Sequence, residues 1–294
     1  MRRLSLLPLL PALAVLVLAL MTSLPLHAAS QTVELTNGRW YRIDLPTKPE
    51  GASVILALHG GGGNPNQFAR NSGLSPPATE RGYAVIYPAG SGRTRLLTWN
   101  AGYCCAYAQV TGVDDMGFLD AVLADAAERF GVDDDRVFAT GMSNGSMMAE
   151  RYAAGRPAKV RAVAGVAGTM DPSFRVEAPV ALLHIHGTAD RMVPFTGGKG
   201  EKSFAQVPFA AVSDTAAAFA SAWHGPLVQT QGKAVGTDGT SIVTREWRLP
   251  DGRVAVKVMV LEGFDHAWPG GRRAGPLTGF DADTAILDFF DAAP

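Results

Sequence analysis

From Arg136 to Tyr152 an apolar run, Val137-Phe138-Ala139-Thr140, breaks into Gly141-Met142-Ser143-Asn144-Gly145 and resumes as Ser146-Met147-Met148-Ala149-Glu150-Arg151-Tyr152. The first part has the composition of a buried strand and the last part that of a helix. Glycine on either side of Ser143 lets the chain turn from strand to helix without a steric clash. The serine hydroxyl is then left exposed where the helix begins. Such a turn constrains the chain more than any other feature, because it requires a strand and a helix to be packed back to back around one residue.

The rest of the chain supplies strands of the same kind. Residues 54–58, 83–87, 137–139, 160–164 and 180–183 are short, largely apolar runs bounded by glycine or proline, as expected of parallel strands buried on both faces. Tyr41, Ile43 and Leu45 alternate with Arg42 and Asp44, a pattern that predicts a solvated sheet edge. Between the strands, Phe118, Val122, Ala126 and Phe130 recur every four residues, predicting a helix over 115–130 with Asp114 as N-cap and Gly131 as its stop. Further helices are predicted over 209–223 and 283–290. Residues 244–249 and 254–261 flank Asp251-Gly252, a hairpin signal that predicts an antiparallel edge. Alternating strands and helices specify an α/β three-layer sandwich with a mostly parallel central sheet. Ligands then bind at the carboxyl ends of the strands.

The first 30 residues read as a signal peptide: Arg2-Arg3, a leucine-rich run over 4–20, and small residues at Ala28-Ala29-Ser30. They predict a secreted or periplasmic protein with no stable membrane association once the leader is removed. Residues 31–294 suit a single catalytic domain, since no linker or charge block divides them. Loss of Arg2 and Arg3 from 26 basic and 27 acidic side chains leaves a mildly negative protein, without the basic footprint of a nucleic-acid binder. The two cysteines are adjacent, Cys104-Cys105, and either close a vicinal disulfide or remain as thiols.

A serine hydroxyl becomes a nucleophile only with a base to take its proton, a group to orient that base, and donors for the oxyanion that forms. His266, in the loop after the 254–261 run, is the expected base. Asp190, in the loop after the 180–183 run, is the expected orienting carboxylate, ahead of Asp171 and Asp265. The expected oxyanion donors are backbone N–H groups of Asn144 and of Gly60 or Gly61 in the run His59-Gly60-Gly61-Gly62-Gly63. No Gly-Lys-Ser/Thr follows that run, which disfavours a nucleotide site. His184 and His186 share a strand face with Asp190 nearby, but a structural role is preferred over a metal site. No cofactor is called for. His59, Trp99, Cys104, Cys105 and Trp268 are expected against the substrate, and Asp114-Asp115 as helix-capping acids.

Taken together, Leu58-His59-Gly60-Gly61-Gly62-Gly63, Trp99-Asn100 with Cys104-Cys105, Val113 to Phe118, the Ser143 elbow, His186-Gly187-Thr188-Ala189-Asp190 and His266-Ala267-Trp268-Pro269-Gly270 resemble the polyhydroxybutyrate depolymerase and feruloyl esterase family of secreted α/β-hydrolases. The resemblance implies a Ser143, Asp190, His266 triad and hydrolysis of carboxylic esters. Without a linker and a separate polymer-binding module after the last helix, a small ester or an oligoester is expected rather than an insoluble polymer. Hydroxyalkanoate oligomers come first among these, with feruloyl or acetyl esters of plant wall as the alternative. Acyl transfer by the same triad and a non-catalytic binding role are the remaining possibilities.

Overall fold

The computed structural model describes residues 30–273 and 279–293. The expected leader therefore lies, Ser30 apart, outside the described residues. Among the described residues there are twelve strands: β1 Gln31–Glu34, β2 Trp40–Asp44, β3 Ser53–Leu58, β4 Ala84–Pro88, β5 Asp133–Met142, β6 Val160–Val166, β7 Ala181–Gly187, β8 Gly198–Lys199, β9 Pro208–Phe209, β10 Val228–Val235, β11 Ser241–Arg248 and β12 Val254–Leu261. The helices are α1 Pro65–Ser72, α2 Ser75–Glu80, α3 Ala106–Val110, α4 Asp115–Phe130, α5 Asn144–Gly155, α6 Val212–Ser221 and α7 Ala282–Asp291.

Ten strands form one sheet in the order β1-β2-β4-β3-β5-β6-β7-β12-β11-β10. The pairs from β4 through β12 are parallel, and both flanks are antiparallel. After β3 the chain moves outward to β4 and then returns to lay β5 on the other side of β3. Order reverses there, so the loops after β3 and β5 diverge and open a crevice, the usual ligand position in such sheets.

Along β3 the side chains alternate between two cores. Val54, Leu56 and Leu58 pack with α4, α5 and α6, whereas Ile55 and Ala57 pack with α1, α2 and α7. This is why the central strands lack polar alternation: both of their faces are buried.

Helix α4 has the predicted bounds. The Asp114 side chain accepts from the Gly117 N–H, and Gly131 closes the helix in a left-handed conformation. The predicted edges differ. β2 is flanked by β1 and β4, and Asp44 is buried, accepting from Arg42 and from Ser75 Oγ. At the other side β12 and β11 form the predicted hairpin, but the edge is β10, whose eight residues are all exposed and show no apolar alternation. Phe209 pairs in the short β9 hairpin, so α6 starts three residues later than predicted.

Candidate active site

Ser143 sits between β5 and α5 with φ +57° and ψ −124°, a conformation that costs a non-glycine residue energy and that the surroundings must enforce. Its N–H donates to Val166 O on β6 at 2.8 Å, and its carbonyl accepts from Met147 N–H at 3.0 Å. A Cβ at Gly141 would strike the Gly145 backbone, and one at Gly145 would strike the carbonyls of Leu58 and His59. The elbow is therefore pressed against the end of β3, and only glycine fits at those two positions.

His266 follows β12, and Asp190 follows β7. Their strands are neighbours in the sheet, which brings His266 Nδ1 to 2.7 Å from Asp190 Oδ2. The other carboxylate oxygen accepts from the N–H groups of Met192 at 2.8 Å and Val193 at 2.9 Å. Burial alone would raise this carboxyl, but the bonds from His186 and His266 outweigh it and hold Asp190 far below the usual carboxylate range. Asp265 does not compete for the imidazole. It accepts from the His266 N–H and pairs with Arg191 at 2.7 Å, joining the Asp190 loop to the His266 loop. Asp171 is turned into its own loop, where it accepts from the Ser173 N–H.

The glycine run lies over the elbow. A Cβ at Gly60 would come within 3.6 Å of Ser143 Cβ, and one at Gly61 within 3.6 Å of Asn144 Cβ. Gly62 N–H donates to Leu97 O and Gly63 N–H to Gly60 O. Among the described residues the N–H groups of Gly60 and Gly61 donate to no backbone oxygen, and Asn144 N–H belongs to the first helical turn, where no carbonyl precedes it. These three N–H groups therefore flank Ser143 with their hydrogen-bonding capacity free. His59 fixes the loop: its Nε2 accepts from Gly90 N–H at 3.0 Å, so its Nδ1 carries the proton and donates to Gly60 O at 2.9 Å. Burial pushes the His59 pKa down to about 4, which keeps the ring neutral in that tautomer.

A cavity of about 420 Å³ opens above these groups and is lined by His59, Gly60, Gly61, Ser143, His266 and Trp268. Its remaining wall holds residues that composition and spacing do not single out: Gln67, Phe68 and Asn71 from α1, together with Met192, Phe204 and Arg273. Only the helical spacing of Asn64, Gln67 and Asn71 could have flagged part of that wall. Three residues expected against the substrate are elsewhere. Trp99 is wholly buried, its indole N–H donating to His59 O at 2.9 Å and its backbone bonded on both sides to the Asn144 amide. Cys104 and Cys105 are joined to each other across a cis peptide bond, and neither lines the cavity. Large side chains in an apolar chain segment go first to the core, and Trp99 supports the site from below instead of facing it. Asp114 caps α4, while Asp115 is buried against Arg39 at 2.7 Å.

His184 and His186 use their ring nitrogens on each other and on Glu150 and Val193 O, and among the described residues no cluster of three or more His, Cys, Asp and Glu has the geometry to hold a metal ion. No helix among the described residues is long and apolar enough to cross a membrane.

Residues 41–181 match the family model described as Esterase PHB depolymerase. The chain is 31% identical over 264 residues to NocK of Nocardia uniformis subsp. tsuyamanensis, which is named as an esterase; the match covers 83% of this chain and 74% of that protein. It is 31% identical over 177 residues to feruloyl esterase C of Emericella nidulans, covering 56% of this chain and 60% of the relative. Among solved structures, acetyl xylan esterase from Aspergillus awamori superposes with a TM-score of 0.58 at 16% identity, over 90% of this chain and 100% of the other, a likeness of fold. The chain is thus a carboxylic ester hydrolase of the α/β-hydrolase fold and belongs to the polyhydroxybutyrate depolymerase and feruloyl esterase family.

Proposed function

We propose that the protein is an exported serine esterase that cleaves short hydroxyalkanoate oligoesters through an acyl-enzyme. The observation that carries the reading is the 2.7 Å bond from His266 to a fully bonded Asp190, with His266 and Ser143 facing one cavity. Neutral His266 takes the proton of Ser143 as Oγ attacks the ester carbonyl, and Asp190 stabilises the imidazolium. The N–H groups of Gly61, or its neighbour Gly60, and of Asn144 hold the oxyanion. Collapse returns the proton from His266 to the leaving alkoxide, leaving the acyl group on Ser143. Water, deprotonated by the same imidazole, then releases the acid.

The oligoester assignment rests on the wall of the cavity. Gln67 and Asn71, one turn apart on α1, set amide groups beside the apolar surfaces of Phe68, Met142 and Trp268. Amide donors spaced along an apolar trough suit a chain of ester carbonyls separated by short aliphatic units. The feruloyl reading is favoured by the named activity of the Emericella nidulans relative. The two separate by kcat/KM on a 3-hydroxybutyrate trimer against methyl ferulate, and the trimer is the expected preference. Ser143→Ala is expected to lower kcat by about 10⁶-fold, the scale seen when such a serine is removed. Turnover that survives this substitution would overturn the mechanism, and preference for the ferulate would overturn the substrate.

A further inference from the structure

Behind Asp190 lies a row of buried titratable side chains that the acyl-transfer steps do not use. His184 and His186 are alternate residues of β7, so both rings project from the same face of the sheet, and their planes stack within 8° of parallel. Glu150, on the helix that begins beside Ser143, places Oε1 at 2.9 Å from His184 Nδ1. His184 Nε2 is 3.1 Å from His186 Nδ1. His186 Nε2 lies 2.9 Å from Val193 O and 3.3 Å from Asp190 Oδ2. Glu150, His184 and His186 are all buried, and the sheet makes room for them: a Cβ at Gly165 on β6 would strike the Glu150 carboxyl and lie 2.6 Å from Ser146 Oγ.

The partners dictate where the protons sit. Val193 O and the Asp190 carboxylate can only accept, so His186 Nε2 must carry a hydrogen. A neutral His186 then accepts at Nδ1, which requires a hydrogen on His184 Nε2. His184 in turn accepts at Nδ1, and the only group there to donate is a protonated Glu150. The alternative is an ionised Glu150 balanced by an imidazolium. Among the described residues no lysine or arginine pairs with Glu150, and no donor reaches its Oε2, which an ionised oxygen would demand. The titratable groups facing the carboxyl are His184 and His186 from β7 and Tyr103 from the loop before α3. Burial pushes Glu150 well above its ordinary range, and His184 down to about 3, in agreement with a chain that is neutral throughout.

We propose that Glu150, His184 and His186 are positioning residues: an uncharged hydrogen-bond chain, donating from Glu150 toward Asp190, that pins the Asp190–Val193 loop and so sets the orientation and basicity of His266. The proposal rests on the reading of Asp190 and His266 as the acid and base of the site. The chain explains why a glutamate lies in the core on the helix that follows the serine. It also lets Asp190 Oδ2 receive two donors, His266 and His186, while the loop amides satisfy Oδ1.

The test combines a spectroscopic readout that needs no turnover with a kinetic one. In ¹⁵N-histidine NMR of the Ser143→Ala protein, assigned with single histidine variants, His184 and His186 are expected as neutral Nε2–H tautomers that do not titrate between pH 5 and 9. A doubly protonated ring or an Nδ1–H tautomer at either position overturns the chain, whether or not Ser143 proves to be the nucleophile. In the active enzyme, Glu150→Leu removes the donor at one end, leaves His184 Nδ1 buried without a partner and loosens the ring pair that holds the His186 Nε2–H against Asp190. With that contact weakened, a barer carboxylate holds the imidazolium more strongly, so the acid limb of kcat/KM should move to higher pH. The loss in kcat should be on the order of tenfold, as for other partners standing behind functional histidines. KM should change little, and Glu150→Gln, whose amide still donates to His184, should restore both kcat and the limb. Folded Glu150→Leu with an unmoved acid limb, or Glu150→Gln with the limb displaced, would show that the carboxyl does not act through Asp190. If Glu150→Leu fails to fold, Glu150→Gln and the NMR tautomers still decide the matter.

Discussion

Trp268 reaches the cavity wall with its indole N–H bonded to Asp283 Oδ1 at 2.9 Å, and the buried Asp283 carboxyl is shifted by that burial up to about 7. Indole donation and the nearby Asp281 modify the shift without reversing it. A carboxyl held above its unfolded value of 3.8 binds its proton more tightly in the folded state. Its contribution to stability is therefore full below the unfolded value and is lost as pH rises through about 7. Asn in its place keeps an acceptor for the indole and cannot ionise. The fall in Tm between pH 5 and pH 8 should accordingly be smaller in Asp283→Asn than in the wild type, by thermal melts at matched ionic strength; equal falls would refute the assignment. The same residue-level reasoning separates Asp190 from Asp283: both are buried, but four donors converge on the first and, among the described residues, the indole alone donates to the second.

Helices here are positioned by their ends as much as by their buried faces. The Asn64 side chain accepts from Gln67 N–H, which starts α1 on the floor of the cavity and sets the direction in which Gln67 and Asn71 project. For α4 the corresponding cap is Asp114, which also places Asp115 one residue on, at the Arg39 guanidinium. Asp114→Ala should cost about 1 kcal/mol of stability, measured by urea unfolding, with little change in kcat because the cap lies away from the cavity. A loss of activity larger than the loss of stability would mean that α4 carries more of the site than its contacts indicate. At the sheet edge, β10 is held chiefly by its ladder to β11, and no apolar face of its own fastens it to either core.

Across the whole molecule, one partly buried ion pair joins segments that no single element connects. Arg39, ahead of β2, bonds Ala89 O at the end of β4 and Asp115 Oδ1 on α4, and its guanidinium stacks over Phe118. Asp115 Oδ2 accepts from Asn100 N–H, tying in the loop that carries Trp99. Burial favours the neutral form of both partners, and their mutual attraction opposes it. Asp115→Ala would strand the guanidinium in a low-dielectric site, so a destabilisation of about 3 kcal/mol or more is expected by denaturant unfolding with an unchanged m-value. A loss below about 1 kcal/mol would mean the pair is solvated in solution.

The fold class, the turn at Ser143, the loops that bear Asp190 and His266, and the bounds of α4 were all legible from one-dimensional signals: apolar runs, glycine placement, a capping aspartate and the order of residues along the chain. Local sterics and periodicity act within a few residues, so a local pattern carries them. What it could not carry was pairing across distance. Whether β2 or β1 ends the sheet depends on which strand finds a second partner, and β10 has no apolar period to announce it. Trp99 has the composition of a substrate wall but serves as a buried brace, because its neighbours His59 and Asn144 are 40 and 45 residues away. Asp190, placed ahead of Asp265 by its position after the 180–183 run, reaches His266 through a 2.7 Å contact between two loops, whereas Glu150, which meets His184 only once α5 has docked on the sheet, had no such local signal. Chain order determined what kind of site could form. The tertiary packing decided which side chains face it, because hydrogen bonds and desolvation depend on neighbours in space.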